Sequence, residues 1–216
     1  MRFLLRSIAL LVLVHTMAGC QTPGQGYQPR DGDVVFQSFQ INPLTQMIEG
    51  CTHSPISHCG IVEQHDGSWF VLEAVGPVKR TPLRHWIVRG RRHAVAVYRL
   101  KAPADAKIPA FLKGAEEFMN RPYDLRYQWD DQAIYCSELV VKGAAKAGIT
   151  LGKMEKLRDL DWKPHENLIR TLENGPPPLD REMVTPVRLT LDPLLEPVFT
   201  EGYTRDEKTG ALQLKP

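Results

Sequence analysis

Three stretches of the chain alternate or run apolar over strand lengths: residues 34–39, 57–63 and 69–75. The second and third flank His65-Asp-Gly-Ser68, a turn signal that predicts a hairpin. Asp31-Gly-Asp33 sets a turn before the first run, and residues 93–100 predict a further strand. Helical spacing appears later. Phe111, Leu112, Ala115 and Phe118 or Met119 predict a helix over 108–119. Cys136, Leu139, Val140, Gly143, Ala144 and Ala147 fall at i, i+3, i+4, i+7, i+8 and i+11, with Gly148 as the C-terminal stop. The small residues on that helix predict a close approach to the sheet. Residues 42–56 carry only a hint of a short helix in Leu44, Met47 and Ile48, and 185–191 predict a short strand. Strands first and helices after argue for an α+β fold: a small antiparallel sheet or half-barrel packed on the helix that begins at Cys136.

The first twenty residues stand apart. Arg2 and Arg6 precede the apolar run 8–14, and Met17-Ala-Gly-Cys20 follows. This is the layout of a secretory signal peptide. The run is too short for the roughly 20 apolar residues of a membrane-spanning helix, the alternative reading. Its ending resembles the lipobox of bacterial lipoproteins, whose cysteine is acylated. The resemblance implies a leader over 1–19, lipidation at Cys20, and a membrane partner reached through lipid. Gln21 in place of an aspartate implies the outer membrane, facing the periplasm. Residues 20–30 predict a tether, 31–200 one domain, and 201–216 a loose polar tail.

Composition narrows the function. Hydrophobic residues make up 43% and charged ones 24%, values of a folded domain. The 27 basic and 25 acidic residues come level once Arg2 and Arg6 leave with the leader. A neutral mature chain argues against a nucleic-acid partner. With Cys20 lipidated, Cys51, Cys59 and Cys136 remain, an odd number. A Cys51–Cys59 bridge with Cys136 free is the expected arrangement; a Cys59–Cys136 pairing that silences the site is the alternative.

The candidate chemistry is that of a thiol nucleophile. Cys136 opens the firmest predicted helix, where the macrodipole and unpaired amides favour a thiolate. Against this stands the ordinary buried cysteine of an apolar face. His58 lies in a predicted strand beside Gly60, a spacing that suits close substrate approach. Glu73 is the only acid in its apolar run, so it needs a partner: His58 across the hairpin, or Lys79 or an arginine. Cys51, His53, His58 and Cys59 offer four zinc ligands within nine residues, but residues 58 and 59 face opposite sides of a strand. No metal or other cofactor is expected. Ser137 has nothing to activate it.

Asp31-Gly-Asp-Val-Val-Phe36, Ser57-His-Cys-Gly-Ile-Val62, Val71-Leu-Glu-Ala-Val75, Pro122-Tyr-Asp124 and Tyr135-Cys-Ser-Glu-Leu-Val140 together resemble the permuted NlpC-type papain-like amidases, in the YiiX/YaeF-like branch. The resemblance implies Cys136 as nucleophile, His58 as base, Glu73 as the third polar residue, and Tyr135 beside the oxyanion position. It further implies a cysteine hydrolase acting through a thioester on a cell-envelope peptide, a peptidoglycan fragment or a lipid-linked amide. Specificity would lie in loops such as 42–56 and 76–92. An acyltransferase, a lipid hydrolase with the same Cys–His pair, and a non-catalytic envelope-binding lipoprotein are the alternatives. The sequence leaves the oligomeric state open.

Overall fold

The computed structural model describes residues 24–216. The domain is α+β, and its centre is a six-stranded antiparallel sheet in the order β4-β3-β2-β1-β5-β8. These strands are β1 (Val34–Gln37), β2 (His58–His65), β3 (Ser68–Ala74), β4 (Val78–Pro82), β5 (Val95–Leu100) and β8 (Leu195–Glu201). The predicted hairpin forms, with Val62 opposite Val71 and a turn at Asp66 and Gly67. β1 lies between β2 and β5, with Val34, Val35 and Phe36 wholly buried. Strands covered on both faces read as continuous apolar runs, which is how β1 looks in the sequence.

Two layers cover the sheet. On one face Val34, Phe36, Cys59, Ile61, Leu72 and Tyr98 share a core with helix α4 (Cys136–Lys146), which packs on β2 and β3. Helix α3 (Ile108–Glu116) lies against α4. On the other face Val35, Val62, Val71 and Val97 pack under Leu83, Trp86 and Ile87 of helix α2 (Leu83–Arg89). The small residues of α4 also serve a neighbour besides the sheet. A Cβ on Gly143 would come within 2.8 Å of the Ala115 Cβ, so at this residue the close approach is to α3.

The short helix hinted at within 42–56 is helix α1 (Pro43–Thr52), started by an Asn42 cap whose Oδ1 accepts from Thr45 N at 3.0 Å. Residues 185–191 form helix α6 (Pro186–Thr190) instead of a strand. Proline at its first turn has its φ already set for a helix, and Pro186, Leu189 and Thr190 bury one face. Past α4 run the short pair β6 (Glu155–Lys156) and β7 (Glu182–Met183) with helix α5 (Glu166–Glu173) between them.

Both ends are packed. The tail expected to be loose after Glu201 folds as hairpin β9 (Tyr203–Arg205) and β10 (Leu212–Leu214), with Tyr203 and Leu212 in the core. The Tyr203 hydroxyl bonds Ser38 Oγ at 2.9 Å. At the other end Tyr27 stacks on Phe199 at 5.5 Å, and Gly24 N donates to Glu201 Oε2, so residues 24–30 lie against β8 and do not hang as a tether. The Asp31-Gly-Asp33 motif also has structural work. Gly32, at φ 78°, turns the chain into β1, while buried Asp33 accepts two hydrogen bonds from Arg99 at 2.7 and 2.8 Å and one from the Tyr27 hydroxyl. Cys20 and the leader lie outside the described residues. No helix among the described residues is long and apolar enough to cross a membrane.

Candidate active site

β2 begins at His58, and β3 places Glu73 on the same sheet face. His58 Nε2 meets Glu73 Oε2 at 2.6 Å, and both side chains are buried. Gly60 makes this pairing possible. A Cβ there would lie 2.4 Å from Val71 Cγ1 and 3.3 Å from Glu73 Cβ, so the glycine makes room for β3 and not for a substrate. The imidazole is stacked on Phe39 at 4.3 Å between ring centres and has Trp86 tilted at 6.1 Å on another side. With Nε2 committed to Glu73, Nδ1 is the nitrogen left for a second partner.

Beside Glu73, the Cys136 thiol is the other group that raises the imidazole pKa. The thiol sits at the first position of α4, where amides of the opening turn lack intrahelical acceptors. Cys136 is held well below the ordinary thiol range. A hydrogen bond from the Cys59 thiol leads; burial opposes it, and the hydrogen bond and charge of His58 reinforce it. Burial pushes the His58 imidazolium down, but its hydrogen bonds to Cys136 and Glu73 prevail and its pKa is raised. The two shifts run in opposite directions, the thiol down and the imidazole up. Burial likewise pushes Glu73 up; the hydrogen bonds and charges of His58 and Arg89 bring it down to about 2. Glu73 is therefore ionised throughout the neutral range.

Glu73 meets both of its anticipated partners at once. Besides His58 it accepts from Arg89 NH1 at 2.9 Å and NH2 at 2.6 Å, from Trp86 Nε1 at 2.9 Å and from Thr81 Oγ1 at 2.5 Å. Lys79 stands opposite it in the β3–β4 register, yet the cation at the carboxylate is Arg89. Thr81, Trp86 and Arg89 come from the segment thought to be a specificity loop, and the sequence reading missed all three. The spacing of Leu83, Trp86 and Ile87 was the available signal.

Tyr135 and Ser137 point elsewhere. The Tyr135 hydroxyl accepts from Val184 N at 3.2 Å, and Ser137 Oγ donates to Val184 O at 2.7 Å. Together they fasten the start of α4 to the chain before α6. Glu138 Oε2 accepts from Tyr135 N at 3.1 Å, closing the cap of the helix. Tyr123, from the Pro122-Tyr-Asp124 motif, is the phenol whose surroundings include the sulfur: burial first, then the neighbouring Tyr127 and Cys136, raise its pKa. A groove of about 590 Å³ runs between Phe39 and Tyr123, lined also by Leu44, Ile48, Pro77 and Pro122. Of its two named walls, Phe39 is stacked on His58.

The three cysteines of the described chain are all free, so the expected Cys51–Cys59 bridge is absent. Cys51 lies on α1, whereas Cys59 is inside the sheet with its thiol directed at Cys136. Of the four residues weighed above as zinc ligands, His53 pairs with Asp161 at 3.3 Å and His58 with Glu73. Among the described residues no three His, Cys, Asp or Glu side chains gather as a metal site.

Residues 28–199 match the family model described as permuted papain-like amidase enzyme, YaeF/YiiX, C92 family. The uncharacterized protein YiiX of Escherichia coli K12 is 31% identical over 183 residues, spanning 83% of this chain and 90% of that protein. A crystal structure described as metalloprotein yiiX from Escherichia coli O157:H7 is similar with a TM-score of 0.74 and 31% identity, covering 81% of this chain and 99% of that one.

Proposed function

The chain belongs to the permuted papain-like amidase family, an enzyme family, and we propose that within it this protein is a cysteine hydrolase with Cys136 as nucleophile, His58 as base and Glu73 as the orienting acid. The observation that carries the reading is the run Cys136–His58–Glu73, with thiol and imidazole shifted in opposite directions and the carboxylate 2.6 Å from the imidazole. The thiolate attacks the carbonyl carbon of an amide, and its electrons pass to the carbonyl oxygen. First-turn amides of α4 and the Tyr123 hydroxyl are the donors for that oxyanion. Collapse expels the amine, which takes its proton from His58 and leaves a thioester. Water, deprotonated by His58, releases the acid and restores the thiol. The Tyr135 hydroxyl is engaged with Val184 N, so its part is to position the helix.

The groove beside the dyad has mostly apolar walls, Phe39, Leu44, Ile48 and Pro77 among them. This favours an amide bearing an apolar group, such as a lipid-linked amide, over a sugar-rich peptidoglycan fragment. The Escherichia coli O157:H7 relative is described as a metalloprotein. The side chains of this site do not form a metal-ligand set, and no step is routed through a metal.

The reading is tested by incubating purified protein with N-acyl amino acids and with peptidoglycan fragments. We expect amine release from one class, and a covalent adduct of the mass of a thioester on quenching; both disappear in Cys136→Ala. Amine release that persists in Cys136→Ala would refute the nucleophile. Transfer of the acyl group to added amines in preference to water would reassign the enzyme as an acyltransferase.

The lipid anchor at Cys20 belongs to this proposal, with the enzyme held at the outer membrane facing the periplasm. Cys20→Ser is expected to move the protein from the membrane pellet to the soluble fraction. If that variant still pellets after a salt wash, the anchor is not Cys20.

A further inference from the structure

Glu73 is a wholly buried carboxylate with five donors around it, and only one of the groups supplying them carries a permanent charge. Thr81 and Trp86 are neutral, and His58 is charged only while it holds the proton of Cys136. Arg89 grips both oxygens, at 2.9 and 2.6 Å, from the last turn of α2. The same guanidinium lies over the Phe39 ring at 4.9 Å, and the opposite commitment of that ring is its stack on His58. Arg89 thus touches both supports of the imidazole, the carboxylate bonded to its edge and the ring against its face.

The charges along this line alternate. Thiolate, imidazolium, carboxylate and guanidinium sum to zero; without Arg89 the same buried line would carry a net negative charge. A buried carboxylate without its cation takes up a proton more readily. Once Glu73 is neutral, the imidazolium keeps only the thiolate as a counter-charge.

We infer that Arg89 is a fourth, positioning member of the site: through its fork on Glu73 it keeps the carboxylate ionised and the imidazole aimed at Cys136. The inference rests on the reading of Cys136 and His58 as the reactive pair. The side-chain hydrogen bonds of Arg89 go to Glu73, not to the sulfur or the imidazole. The groups that face the imidazole are Cys136 from α4, Glu73 from β3, Phe39 from the loop after β1 and Trp86 from α2, and of these it is Glu73 that Arg89 hydrogen-bonds.

The test uses the rate of Cys136 alkylation by iodoacetamide across pH, with Cys51 and Cys59 followed separately by peptide mass. No substrate is needed. In Arg89→Gln the acid-side midpoint is expected to rise by about one unit, and the rate at pH 7 to fall about tenfold, as Glu73 protonates in the range where the pair forms. Arg89→Lys, which keeps the charge but loses the fork, should recover most of that shift. The double variant Glu73→Gln/Arg89→Gln should react no more slowly than Glu73→Gln alone, because Arg89 acts through Glu73. It leaves no buried charge unpaired, so it reports even if Arg89→Gln by itself does not fold. A rate and midpoint in Arg89→Gln within twofold and a few tenths of a unit of the parent, or a further loss in the double variant, would overturn the inference. Failure of the underlying reading looks different: Cys136 of the parent protein would then alkylate no faster than a free thiol.

Discussion

In His58→Ala, alkylation of Cys136 at pH 7 is expected to fall by about 100-fold, and amide hydrolysis by at least as much. The parent thiol is held low by Cys59 first and by the hydrogen bond and charge of His58 against burial. Removing the imidazole leaves burial opposed chiefly by the Cys59 thiol. An ordinary thiol near 8.5 is only a few per cent ionised at neutral pH, and a buried one less. Loss of a positioned base costs roughly 10² to 10⁴ in rate on its own account. The alanine also leaves a gap between Phe39 and Trp86, so the folded fraction must be measured alongside and the rate expressed per folded molecule. A structural cysteine gives a contrasting result: slow alkylation in the parent that His58→Ala leaves unchanged, with lost stability as the main effect. That outcome would end the assignment of the pair.

The parts of this site that the sequence disclosed are those whose signal is local. Cys136 at the head of an apolar-periodic helix and His58 in a strand each follow from spacing within a few residues. Glu73 was singled out because a lone acid in an apolar run must be paired. What spacing left open was the choice among partners, and the fold makes the alternatives compatible: Glu73 holds His58 and an arginine together. Arg89 itself was invisible because its role depends on a seven-residue helix placing it across the sheet from a strand sixteen residues earlier. Such a helix has little stability alone and forms because Leu83, Trp86 and Ile87 are buried by the sheet.

The same contrast explains the errors in the fold. Residues 185–191 alternate well enough for a strand, but tertiary burial of Pro186, Leu189 and Thr190 selects the helical period. The polar tail folds because two of its residues, Tyr203 and Leu212, reach the core, and a composition average hides two such residues. The expected Cys51–Cys59 bridge rested on count alone. Parity says nothing about direction, and β2 turns Cys59 toward α4.

Glu73→Gln should be one of the most damaging isosteric changes in the molecule, in stability as well as rate. Oε2 accepts from His58, Trp86 and Arg89, and Oε1 from Thr81 and Arg89. A glutamine offers one oxygen and one NH₂, so whichever way it is turned, donors face a donor. The least costly arrangement puts the NH₂ toward Thr81, whose hydroxyl rotates to accept, and leaves Arg89 NH1 without its acceptor. Removing one partner of a buried ion pair costs roughly 3–5 kcal/mol, but the Arg89 side chain is 31% exposed and recovers water, so about 2–3 kcal/mol is expected. In a domain of this size that is a fall in Tm of roughly 5–10 °C. The pH dependence carries a second signature. The folded pKa of Glu73 lies at about 2, below the usual 4.5, so its stabilisation is complete above about 4.5 and is lost as pH falls toward 2. Glu73→Gln should remove that component of acid destabilisation while lowering stability at pH 7, and the two unfolding curves should converge as the pH approaches 2. Unfolding monitored between pH 7 and 2 checks this. A constant gap between the curves across that range would mean that Glu73 contributes packing alone, and that its charge does not support the imidazole.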